Sequence, residues 1–364
     1  MAQVFSYRFV DHLKLLLLFV LLLGISPLHA EINFLSQSWL SRDTNRIKTY
    51  AKAESVWIDA SAVSTTFTLA PLKVSPDQTI KPQLVSNTGL TIGGGFIYGY
   101  LIAEYSVLLP STLRDKSNNA RSAHLGLAKN ARNYGIEGSF TKINGLLYLS
   151  PDSNDVFRPL HQLGNISYRN YSGTFSYFFN YKRFSYRAAN QCYELQTRSA
   201  GSVIASVTSS YQILRSKDSA VLNSGYTSKT DSGNVVPINV AIGKFSTHRM
   251  ALVGNIGYSY NFVWSGGKWS CNPAFSALVG TDHTILRTEG DKKDLPAFTF
   301  VRGLSWGLNF SYNCPDYYVL CNYRGQTATS GVMLIPNASV NVQSLHLEVG
   351  YRFRRSEKKL CGVF

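Results

Sequence analysis

Ser344 and His346, two positions apart, form a compact nucleophile-and-base pair in this 364-residue sequence. A histidine beside a serine can take its hydroxyl proton and direct it at an ester, the chemistry of a lipid-modifying enzyme whose catalytic pair sits on the membrane-facing wall. Residues two apart on a strand share a face. Such pairs also arise readily by chance, so no catalytic residue is assigned. His124, His161, His248, His283 and His346 show neither HxH nor HExxH spacing, and no metal site is expected. Gly93-Gly94-Gly95 is followed by no helix and reads as a flat or kinked strand rather than a phosphate cradle. Cys192, Cys271, Cys314, Cys321 and Cys361 are odd in number and lack CxxC spacing, so neither zinc nor a full disulfide framework is implied. One bridge, Cys314 with Cys321, would run along a single strand, a poor geometry for a disulfide. No cofactor is expected.

The remaining chemistry is charge. Glu104, Glu137, Arg187, His346, Glu348 and Arg352 fall on polar faces of alternating segments, and Arg198 follows shortly after Arg187. Opposite charges inside a narrow lumen must pair. They would then fill a small barrel as a structural ion-pair plug, or form a polar constriction that selects solutes by charge. Arg187 and Arg198 are the expected lumenal cations, with lipopolysaccharide phosphates at the rim as their alternative partners.

Such groups can be held only by strands, and the dominant signal has period two. Leu345, Leu347, Val349, Tyr351 and Phe353 alternate with His346, Glu348, Gly350 and Arg352, so a strand puts every apolar group on one face. The pattern recurs at Ile256 to Trp264, Leu304 to Tyr312 and Val203 to Ile213. With 45% hydrophobic and 16% charged residues the chain is too apolar to be disordered. Beyond residue 30 no run of about 18 apolar residues could form a spanning helix. The polar faces carry Ser, Thr, Asn and Gly rather than many charges. Aromatics such as Tyr98, Tyr100, Phe262, Trp264, Trp269, Tyr312, Tyr317 and Tyr318 crowd the strand ends like interfacial girdles. An all-β fold follows: a single antiparallel transmembrane β-barrel.

Strand candidates lie at 65–74, 88–97, 100–109, 121–131, 134–149, 165–180, 183–192, 199–214, 236–246, 250–264, 268–281, 298–312, 316–328 and 343–353. Pro71 and Pro237 demote two of them, leaving about 12 strands within a range of 10 to 14. Tight turns are expected near 97–99, 130–133, 181–182, 265–267 and 313–315. Longer, outward-facing connections are expected around 110–120, 151–163, 282–296 and 329–341.

The ends read differently. Arg8 and Lys14, the apolar Leu15 to Leu23 and Leu28-His29-Ala30 make residues 1–30 a signal peptide. Residues 31–60 are a periplasmic lead or inward-packing segment, 61–353 the barrel and 354–364 a short basic tail, with Phe353 the aromatic read by the barrel-assembly machinery. The net charge of +15 then points to outer-membrane lipid and lipopolysaccharide rather than to nucleic acid, which an exported protein seldom meets. The sequence fixes no oligomeric state.

The block Arg183-Phe184-Ser185-Tyr186-Arg187-Ala188-Ala189, followed by Gln196-Thr197-Arg198-Ser199-Ala200-Gly201-Ser202, resembles a Bacteroidetes-type outer-membrane β-barrel family catalogued as a domain of unknown function. Tyr134 to Gly138, Gly257 to Tyr260 and Gly350 to Phe353 support it, and the resemblance runs from about Thr65 to Phe353. It implies an outer-membrane barrel without an assigned activity. A passive pore or a structural membrane protein is expected first. The alternatives are a lipid-modifying enzyme, or a surface adhesin-like barrel acting through its loops.

Overall fold

The computed structural model describes residues 43–50, 54–68, 72–75, 78–80, 83–86, 89–98, 101–109, 120–149, 159–162, 166–216, 220–229, 235–242, 245–288, 295–330 and 338–353. Among these, twelve strands close into one antiparallel ring. They are β1 (Glu54–Thr68), β2 (Leu90–Tyr98), β3 (Leu101–Leu108), β4 (Arg121–Asn130), β5 (Tyr134–Asn144) and β6 (Ile166–Phe178), then β7 (Ala200–Ser216), β8 (Phe245–Trp264), β9 (Trp269–Thr288), β10 (Leu295–Asn313), β11 (Tyr317–Ser330) and β12 (Ala338–Phe353). Each strand pairs with its neighbours in the chain, and β1 closes the ring: Ala60 lies opposite Leu347 on β12 and opposite Ile92 on β2. Closure removes the sheet edge, the condition under which a sheet satisfies its backbone in hydrocarbon. No helix among the described residues is long and apolar enough to cross a membrane.

The alternation of the sequence becomes an inside and an outside. Leu345, Leu347, Val349 and Tyr351 on β12 are 47% to 57% exposed on the outer wall, while the intervening Arg352 is 2% exposed within. Ile58, Ile256, Phe275, Val279, Phe298 and Phe300 extend this oily surface around the ring. An apolar belt of that extent would be an aggregation hazard in water and is the ordinary exterior of a barrel in lipid.

Several expected elements sit elsewhere. The first strand begins at Glu54, so the boundary drawn at residue 61 falls inside β1 and residues 54–60 of the expected lead are barrel wall. Its weak hydrophobicity hid a regular pattern, with Ser55, Trp57 and Ser61 buried inward and Val56 and Ile58 outward. Residues 65–74 divide between the end of β1 and a separate short strand, Leu72–Ser75, paired with Gln78–Ile80. The candidate at 236–246 belongs largely to a hairpin outside the ring, Ala220–Lys229 with Val235–Ile242, in keeping with Pro237. Residues 183–192 form no strand at all. They contain a helix, α1 (Tyr186–Gln191), and the tight turn expected at 181–182 is replaced by a folded connection over residues 179–199. Cys192, Cys271, Cys314 and Cys321 are free thiols, so Cys314 and Cys321 are not bridged. The signal peptide, residues 31–42 and the tail from 354 lie outside the described residues.

Candidate functional site

The connection between β6 and β7 plugs the barrel at the end of its short turns. Ser185 starts α1 in a helix-breaking extended conformation. Its Oγ accepts from the Ala188 amide at 3.0 Å, satisfying an orphan helix donor, and donates to Glu194 Oε2 at 2.6 Å. Arg187 donates to Glu194 Oε1 at 3.3 Å, and its guanidinium lies 3.8 Å from the centre of the Tyr193 ring. Cys192, with φ of 53°, stops the helix in the left-handed region. Alternation alone made Arg183 to Arg187 look like a strand. The serine cap and the Ala188-Ala189 pair decide for a helical turn instead.

The plug is fixed to the wall by polar contacts at its ends and apolar contacts between. Asn309 Nδ2 on β10 donates to Ala189 O at 3.2 Å and to Asn190 Oδ1 at 2.6 Å, and Asn313 Nδ2 donates to Glu194 O at 3.2 Å. Cys192 and Tyr193 pack with Trp57, Ile97, Tyr318 and Leu320 from the inner wall. Arg352 binds the parts together. Its guanidinium donates to the carbonyls of Cys192, Cys314 and Tyr317 and to Asn313 Oδ1, and lies 4.1 Å from the Tyr50 ring centre and 4.9 Å from that of Tyr318. In a two-stranded sheet separate from the ring, Ile47–Thr49 pairs in antiparallel register with Glu194–Gln196, so residues just ahead of β1 are tied to the plug. Burial pushes the Cys192 thiol up to about 12, against a lowering hydrogen bond with Ser311, and also raises the Tyr186 phenol.

Beyond the plug lies a cavity of about 520 Å³, bounded at its base by Tyr186, Asn190 and Gln191. It runs along β1 to β6, β11 and β12 towards the end with the long connections, where the inward rings of Phe67 and Tyr168 meet at 5.2 Å. Its wall carries Asp59, Glu104, Glu137 and Glu348 together with His124, His346 and Arg324. His124 bridges Glu104 at 3.1 Å and Thr141 at 2.9 Å, and Tyr318 donates to Glu348 at 2.7 Å. Space for these side chains comes from glycines on neighbouring strands. Trp57 lies across Gly95 and Tyr318 across Gly350, where any Cβ would overlap the ring. The Gly93-Gly94-Gly95 run therefore makes room for lumenal bulk. Elsewhere in the lumen a buried pair, Arg249 to Asp282 at 2.8 Å, is completed by Gln212, Thr284 and Thr299.

The candidate charges thus divide. Glu104, Glu137, His346 and Glu348 line the cavity. Arg352 is buried at the plug, Arg187 is inside the plug and spent on Glu194, and Arg198 is exposed ahead of β7. Asp59, His124 and Arg324 were not singled out. Asp59 was hidden in the supposed lead, while the parity of β4 and β11 would have exposed the other two. Ser344 and His346 do share a face, but it is the cavity face and not the membrane-facing wall that the lipid-modifying reading required. No group of three His, Cys, Asp or Glu among the described residues could hold a metal ion.

A family model described as "domain of unknown function (DUF4421)" matches residues 41–353, taking in barrel and plug together. The chain belongs to the DUF4421 family. The resembling block of Arg183 to Ser202 is, in this DUF4421 chain, the plug and its junction with β7. No curated protein matches the sequence. Among solved structures, the Escherichia coli outer membrane protease OmpT is 8% identical, with 85% of this chain and 100% of that chain covered at a TM-score of 0.38. The beta domain of the Bordetella autotransporter BrkA is 12% identical over 83% and 100% of the two chains, TM-score 0.33. The P. putida toluene transporter TodX is 7% identical over 84% and 91%, TM-score 0.26. Likeness at these scores carries no argument about the activity of this DUF4421 member.

Proposed function

We propose that the protein is an outer-membrane barrel, in an envelope of the Bacteroidetes type, whose lumen is stoppered in its resting state by residues 179–199. Solute passes only when that segment is displaced. The observation that carries this reading is the seating of α1, Cys192 and Glu194 on Asn309, Arg352 and Asn313 respectively, which sets protein across the lumen at the short-turn end. The oily exterior supports the location, and the outward-facing Tyr351 and Phe353 at the end of β12 suit recognition by the assembly machinery. The basic excess of the chain suits contact with lipopolysaccharide phosphates.

Planar-bilayer recordings test the stopper. The wild-type protein should give rare or no current steps, and a variant with 184–196 replaced by a Gly/Ser linker should give frequent ones. Large stable steps from the wild type would mean an open pore. Silence from both proteins would favour a structural barrel, which the same plugged lumen also fits.

A further inference from the structure

The cavity above the plug offers more acceptors than its own walls satisfy. Of its four carboxylates, Glu104 is engaged by His124 and Glu348 by Tyr318. Asp59 and Glu137 have no hydrogen bond or ion pair among the described residues. Asn322, 5% exposed on the same wall, commits its Nδ2 to Asn309, and its Oδ1 has no partner. Against these acceptors the lining contains one guanidinium, that of Arg324, within coulombic range of Glu104, Glu137 and Glu348, and no lysine. A buried acceptor without a donor, as at Asn322 Oδ1, is costly, and the half-buried Asp59 and Glu137 add unmatched negative charge beside it. What completes such a site is rich in donors and poor in acceptors, which is the profile of an ammonium group.

The spacing of the charges narrows the class. They come from β1, β3, β5 and β12, and nowhere do three converge on a point where a metal ion could sit. Asp59 lies opposite Glu348 in register, and Glu104 is within coulombic range of Asp59, Glu137 and Glu348, so four carboxylates face one lumen against a single guanidinium, an excess that one ammonium cannot match and several on one flexible chain can. Trp57, Ile102 and Tyr186 supply apolar surface between them, matching the methylenes of such a chain.

We propose that this cavity binds an extended organic polycation, a flexible methylene chain carrying two or more ammonium groups. The proposal rests on the lumenal reading above and specifies the solute class for that lumen.

Isothermal titration of spermidine into the full chain in detergent micelles, with folding checked by circular dichroism, tests it. Saturable binding is expected. Glu137→Gln and Asp59→Asn should each weaken it about tenfold, the loss of one charge-assisted contact. Arg324→Gln, which removes the competing cation, should tighten it several-fold, so a folding failure in the carboxylate variants leaves a decisive measurement. Absence of saturable binding overturns the proposal. So does equal affinity in wild type and variants, which is surface attraction only, or equal displacement by magnesium ion, which is a diffuse counterion atmosphere. Titration needs no current, so a failed titration leaves the stopper standing. Conversely, bilayers that stay silent after plug removal would leave the binding site standing.

Discussion

Ser185 and Glu194 are joined at 2.6 Å, and the same serine hydroxyl that donates to the carboxylate caps the first turn of α1. One small side chain therefore sets the helix and ties its two flanks together. Ser185→Ala should cost the plug about 1 kcal/mol, the usual loss for an N-cap. Limited proteolysis should then cut within residues 179–199 faster than in the wild type while the barrel stays intact.

Glu194→Ala should act more severely. It strips Arg187, 6% exposed, of its carboxylate, and breaking a buried pair from one side costs about 3–5 kcal/mol. Single-channel recordings should show steps that resemble those of the plug-replacement variant. Currents unchanged from wild type would show that Arg187 is held in place by other contacts.

The Cys192 thiol reports docking. Its value of about 12, raised by burial above the ordinary value of 9.0, means that the folded plug favours the protonated form. That contribution is whole below pH 9 and is lost as pH climbs from 9 towards 12. In a variant retaining Cys192 as its one cysteine, maleimide should fail to react at pH 7 and react once Glu194→Ala is added.

Tyr318 and Gly350 form a tight interstrand contact that any side chain would spoil. Gly350→Val should displace the ring, break its hydrogen bond to Glu348 and lower stability by about 1–3 kcal/mol, measurable as a reduced Tm.

The two faces of the wall predict opposite tolerance. Val279 is 53% exposed near the middle of β9, and Val279→Arg should cost about 2–4 kcal/mol in urea unfolding from liposomes. Ser344→Arg, into the acidic cavity, should stay within about 1 kcal/mol of wild type. Equal costs would contradict lipid contact at the outer wall.

The barrel was legible because its signal is local. Each of Leu345 to Phe353 declares its face by parity alone, and the total of about twelve survives even though its membership changed. The total held because one exchange cancelled: Tyr186 to Gln191 became helix, while the candidate demoted for Pro71 proved to be the end of β1. β1 stayed hidden because Ala60, Ala62, Ser64 and Thr66 leave its outward face weakly apolar while Trp57 and Val63 face inward, and because a strand that closes a ring gains its stability from two distant neighbours. The plug was illegible for the same reason. Nothing near Arg187 in sequence announces Asn309, Asn313 or Arg352, which reach it from far along the chain. Arg324 and His124 lay within reach of the parity argument, which Arg198, outside any strand, was not.

Arg352 lies one residue from the end of β12, yet it grips a segment made midway through the chain. The middle segment thus has no complete seat until the last strand has zipped onto the first. On the stopper proposal, a seal is complete only in a finished ring, and an assembly intermediate lacking its final strand would be leaky as well as unstable.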